Sequence, residues 1–293
     1  MTKLFQPLIA VLFLSGILLS CKKDEKVAAS KPVVKFIFRF DSTQARLNNI
    51  GQPSVIAAGN AAQSPVFNKM SAHYVELAPV ATTVLGAGDV LYWAPETNTG
   101  GLNAIDFSRS TFAGNGEVFL TVPLDSITPG TYEWLRVSLA YQNYDIKFKA
   151  SGFNLTGTIA SFIGFRTYVQ NFKIKDSTVT LNANKTQGYW AFETSVSGFG
   201  SVTSGQAPAG ATTVPNPIFA TSPVPAGSCV VTGKFATALQ VTGTETSDIT
   251  IVVSLSTNKS FEWTDPDGNG TFDPLNGDQV VDMGIRGLIP SRQ

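Results

Sequence analysis

The sequence predicts an all-β protein, an antiparallel β-sandwich with long loops, and three observations predict it. Apolar residues recur with a period of two along most of the chain, turns rich in Gly, Pro and Asn separate the runs, and no amphipathic stretch of three helical turns occurs. The composition suits a packed domain. With 43% hydrophobic and only 14% charged residues among 293, the chain is too apolar for disorder and too poor in charge for a coiled coil.

The chain begins with Lys3 and an apolar run from Leu8 to Leu19, shorter than a membrane-spanning helix requires. The run ends Leu18-Leu19-Ser20-Cys21, which resembles the lipobox of bacterial lipoproteins. That resemblance implies a signal peptide over 1–20, cleavage before Cys21, and acylation of Cys21. Several acyl chains, at about 0.8 kcal/mol per buried methylene, make a stable membrane anchor where one chain does not. An ordinary secretory peptide that happens to contain a Cys is the alternative. Residues 21–31 then comprise the lipidated Cys and a polar tether, KKDEKVAASK, without hydrophobic period. Its acidic and Lys-rich composition resembles signals that send lipoproteins to the outer face of the outer membrane. A periplasm-facing position is the alternative.

Residues 32–293 read as a single β-rich domain. Val34, Phe36, Phe38 and Phe40 alternate with Lys35 and Arg39, which gives a half-buried opening strand with its aromatic residues inward. Shorter runs follow at 71–77, 117–122, 131–140, 144–149, 158–163, 165–174, 178–181 and 188–194. Residues 195–228 are rich in Gly, Ser, Ala and Thr and contain Pro208, Pro215, Pro217, Pro223 and Pro225, so a long surface loop without a regular ladder is expected there. Runs at 229–235, 239–242 and 259–263, with the alternating Ile249, Ile251, Val253 and Leu255, are expected to complete the same sheets. A separate small domain over 229–293 is the alternative.

Charge and rare residues exclude several functions. Lys+Arg and Asp+Glu tie at 21, so no basic field attracts nucleic acid, and one His with two Cys cannot build a Cys₂His₂ or three-His zinc site. If Cys21 is acylated, Cys229 is the remaining thiol, and its place at the head of an apolar run predicts an inert core residue.

One loop carries metal chemistry. Asp265, Asp267, Asn269 and Asp273 occupy positions 1, 3, 5 and 9 of a run with Gly270 at position 6, and this resembles the calcium loop of EF-hand and dockerin-type modules. The resemblance implies a carbonyl ligand from Thr271 and a weak site, on the order of 10⁻⁴ M, with a structural role. It departs from the pattern at position 12, where Asn276 replaces the bidentate Glu, and Asp278 is expected to compensate from further along. The alternative is a solvated turn of Asp and Gly.

The second constellation is aromatic. Each Trp has a Glu close in sequence, and the pairs Tyr92-Trp93 and Tyr189-Trp190 flank polar turns, so these four residues are candidate ligand-binding positions for a glycan or other polymer. Carboxylate-dependent hydrolysis would need two facing carboxylates, and none of Glu76, Glu96, Glu133, Glu193 and Glu262 falls in the E-x-D-x-x-E spacing of sandwich-fold glycosidases. His73 alternates with Val75 and Leu77 and is expected to be a satisfied core or edge residue. The expectation is therefore a non-enzymatic envelope lipoprotein that binds a ligand, with calcium in its C-terminal loop. An accessory subunit of an envelope assembly, docking a protein partner, and a hydrolase are the alternatives.

Overall fold

The computed structural model describes residues 31–196, 199–207 and 223–293, and residues 31–293 form one compact unit. Cys21, the signal segment and the tether up to Ser30 lie outside the described residues, as does most of the Pro-rich stretch. The strands, in chain order, begin with β1 (Val33–Asp41), β2 (Asn60–Gln63), β3 (Val66–Ala78), β4 (Asp89–Trp93), β5 (Glu96–Thr97) and β6 (Ala104–Asp106). Next come β7 (Glu117–Pro123), β8 (Gly130–Ala150), β9 (Phe153–Phe162), β10 (Arg166–Lys173), β11 (Thr178–Thr186) and β12 (Tyr189–Val196). The chain ends with β13 (Phe199–Gln206), β14 (Cys229–Val241), β15 (Ile249–Ser256), β16 (Phe261–Thr264), β17 (Gln279–Met283) and β18 (Leu288–Arg292). The protein is all-β, and among the described residues no helix is long and apolar enough to cross a membrane.

Two sheets make the sandwich. One has the order β18-β15-β1-β7, and the other, curled into a half-barrel, has the order β13-β12-β9-β8-β3-β4 with β14 added along β8. Period-two alternation decides which side chains meet between them. Val34, Phe36 and Phe38 of β1 and Ile249, Ile251, Val253 and Leu255 of β15 point inward, onto Val75, Leu77, Leu135, Val137 and Leu139 of the curled sheet. Burial of each such side chain stabilises the fold by about 1.5–3 kcal/mol, and this shared core is what joins the sheets.

The spine of the curled sheet is β8. It pairs β3 on one side along its length, and on the other side β14 takes its first half and β9 its second. Register shifts at Phe67/Lys69 and Ala72/Tyr74 insert an extra residue into β3, and the one at Ser71/Ala72 inserts Ala140 into β8; such bulges bend a sheet and raise its twist.

Two features differ from the sequence expectation. The antiparallel sandwich contains parallel pairings, β1 with β15 and β6 with β10. The loop expected over 195–228 does not cover that whole stretch, because Phe199–Gln206 forms β13 and pairs antiparallel with β12 from Tyr189↔Gln206 to Val196↔Phe199. The physical reason is that the prolines of this stretch start only at Pro208, so every residue of β13 retains an N–H for the ladder.

A small sheet, β17-β16-β2, sits at the end where the acidic loop lies, and β11-β10-β6-β5 covers a second cluster built on Phe162, Phe172 and Tyr189.

Candidate functional site

The acidic loop joins β16 to β17. Asp265 Oδ2 accepts from the Gly270 N–H at 2.9 Å, Asn269 Oδ1 from the Thr271 N–H at 2.7 Å, and Asp278 Oδ2 from the Asp273 N–H at 2.7 Å. The curl needs Gly270 at φ +70°, a left-handed conformation that a side chain resists. Asp265, Asp267 and Asp278 each bring a carboxylate oxygen within 4.8 Å of the others, a group that could hold a metal ion. Asp265 Oδ1 and Asp273 Oδ1 are shut off from solvent and receive no hydrogen bond. Carboxylate oxygens buried without a donor call for a cation. The Asp267 carboxyl is held below its ordinary value, first by the Asn269 backbone N–H, so it stays charged.

The loop forms one wall of an apolar cavity of about 620 Å³. Phe272, Pro274, Leu275 and Asp278 face it from the loop, while Ile146, Phe148, Ile159 and Phe192 face it from the curled sheet. Gly157 of β9 makes room for this surface. A Cβ there would lie 2.2 Å from the Phe192 ring, so glycine lets the ring lie flat on the neighbouring strand.

The four aromatic candidates separate. Trp93 is 39% exposed, and its Nε1–H donates to Glu96 Oε1 at 3.0 Å. Tyr92 turns the other way and packs edge-on against Phe119. Tyr189 is only 6% exposed, with Phe162 and Phe172 against its ring and the Lys185 ammonium 4.4 Å from its centre, so it serves as packing. Trp190 lies on the cavity wall with Phe192 and Thr194.

The carboxylates hold loops. Glu76 accepts from the Gly86 and Gly88 N–H groups at 3.1 and 2.6 Å and lies 3.6 Å from Arg136. Glu262 binds Arg46 at 3.0 Å and Asn60 at 2.7 Å. Glu133 pairs with Lys234 at 3.4 Å. Glu96 accepts from His73 Nε2, Trp93 Nε1 and Asn103 Nδ2. Burial pushes its carboxyl upward, but the hydrogen bonds from Asn103, His73 and Trp93 outweigh that and hold it below the ordinary value. Burial also depresses His73, against the pull of Glu96, so the imidazole is neutral and donates its Nε2–H to an ionised carboxylate. His73 is thus a buried core residue, but not the fully satisfied one expected, because its Nδ1 has no hydrogen-bond partner. Burial pushes the Cys229 thiol up to about 12, which leaves it an inert thiol at neutral pH.

Sequence reasoning missed the cavity. Its walls come from β8, β9, β12, β13, β16, β17 and the acidic loop, and the strands among them alternate like any sandwich strand, so no local signal marks it. The chain matches no protein-family model, no curated protein and no solved structure.

Proposed function

We propose that the chain is a non-enzymatic binding protein, anchored through an acylated Cys21 to the outer membrane with its domain on the cell surface. The ligand occupies the cavity between the curled sheet and the acidic loop, and calcium in that loop is structural. One observation carries the reading: Asp278 belongs both to the group of carboxylates and to the cavity wall. An ion that fixes Asp265, Asp267 and Asp278 therefore also fixes Phe272 and Leu275 against the ligand space. Support for a role without catalysis comes from Glu76, Glu96, Glu133, Glu193 and Glu262, each engaged in bonds that hold its own surroundings.

Calcium titration tests the reading. The melting temperature should rise with millimolar calcium in the wild type and stay unchanged when Asp265→Ala and Asp267→Ala are combined. A flat wild-type response discards the calcium loop.

A second reading rests on Trp93. Its exposed ring lies beside Glu96 and Asn103, which offers a pyranose both a stacking face and polar partners. In a glycan array, Trp93→Ala should lose any signal that the wild type shows; retention of that signal removes the residue from the site.

A further inference from the structure

We infer that the cavity is a site for a single aliphatic chain with a polar head, such as a monoacylglycerol. The inference rests on the proposal that the domain is a binding module and specifies its ligand. Its floor contains Ile146, Phe148 and Ile159 from the sheet and Phe261 and Phe272 from the opposite wall, with no polar side chain among them. A sugar or peptide entering there would leave most of its hydroxyl or amide groups without partners, whereas methylenes lose nothing.

Apolar side chains make up most of the lining, and the polar ones stand at its two sides. Thr194, Ser201 and Thr203 line one side, and Gln279 and Asp282 the other. The volume of 620 Å³ falls within the roughly 300–1,000 Å³ of small-molecule sites and is enough for one chain. Exposed apolar residues mark an entrance: Leu275 is 72% exposed, and Val280 and Val281 beside it are also open to solvent. Two glycines shape the aromatic surface. Besides Gly157 under Phe192, a Cβ on Gly205 would come within 3.0 Å of the Trp190 ring, so both rings lie against backbone and leave the space above them free.

The test uses the mature chain from Cys21 onward, produced without lipid, and monoacylglycerols from octanoyl to palmitoyl. Affinity should tighten about fourfold per added methylene until the chain outgrows the cavity. A dibrominated acyl probe should quench tryptophan fluorescence through Trp190, which lines the site, and Trp190→Phe should reduce that quenching, leaving the share of Trp263, which packs against Phe261 and Phe272. Thr203→Trp and Ser201→Trp both fill the rim from exposed positions on β13, and each should weaken binding roughly tenfold or more. Binding independent of chain length, quenching unchanged by Trp190→Phe, or both rim variants binding like wild type overturns the inference. A calcium-dependent rise in melting temperature without chain binding overturns the inference alone and leaves the metal loop standing. Chain binding with this length dependence but no calcium response supports the inference and discards the metal loop.

Discussion

Three consecutive backbone N–H groups, of Lys175, Asp176 and Ser177, point at one carboxylate, that of Glu193, at 2.9–3.2 Å. The Ser177 hydroxyl adds a bond at 3.0 Å. Burial pushes the Glu193 carboxyl upward, but the N–H groups of Lys175, Ser177 and Asp176 and the Ser177 hydroxyl outweigh it and hold the group below the ordinary value of 4.5. Protonation therefore reaches the unfolded chain first as pH falls. The stabilisation is complete above the ordinary value and is lost as pH drops through the depressed folded value. Glu193→Gln should cost about 2 kcal/mol at neutral pH and flatten the acid limb of a stability-against-pH curve. An unchanged acid limb would show that the turn does not depend on this charge. The sequence marks Glu193 only as a carboxylate near Trp190, because its partners lie 16 to 18 residues away and reach it through tertiary packing. Cys229 and His73, by contrast, are legible from the apolar runs that contain them.

At the level of the element, alternation shows which side of a strand is buried but not which strand lies beside it. Hence the inward faces of β1 and β15 follow from the sequence, while their parallel pairing does not. The runs at 131–140 and 144–149 appear separate because Gln142 and Asn143 interrupt the apolar pattern. In the structure both are buried, and Asn143 Nδ2 donates to the Ile174 carbonyl at 2.9 Å, so β8 continues without a break. The acidic loop is the most legible part of the candidate site, since its oxygen ligands recur at fixed spacing. What it covers is illegible, since Phe148 and Phe192 come from distant strands. At a calcium concentration one hundred times the dissociation constant, binding contributes about 2.7 kcal/mol. For a domain of this size that corresponds to a rise of roughly 5–10 °C, abolished in the doubly substituted loop.

Across the whole molecule, strands from the last third complete sheets begun by the first. β15 lies beside β1, and β14 runs along β8. Such long-range pairing cannot form until nearly all the chain is available, and folds dominated by it form slowly. The proposed membrane attachment through Cys21 belongs to the same scale. Cys21→Ala should move the protein from the membrane to the soluble fraction; persistence with lipid would refute anchoring by that residue.

The position of β1 also has a mechanical meaning. Tension arriving from the N-terminal side reaches this strand first, and β1 is clasped by β15 from Val34 to Asp41 and by β7 on its other edge. A pull along its axis loads both ladders in shear, so many hydrogen bonds resist together. A terminal strand on a sheet edge would instead peel away one bond at a time. Force-induced release then depends on the rate of unfolding rather than on equilibrium stability. A domain built in this way resists unfolding when it is pulled from its N-terminal end.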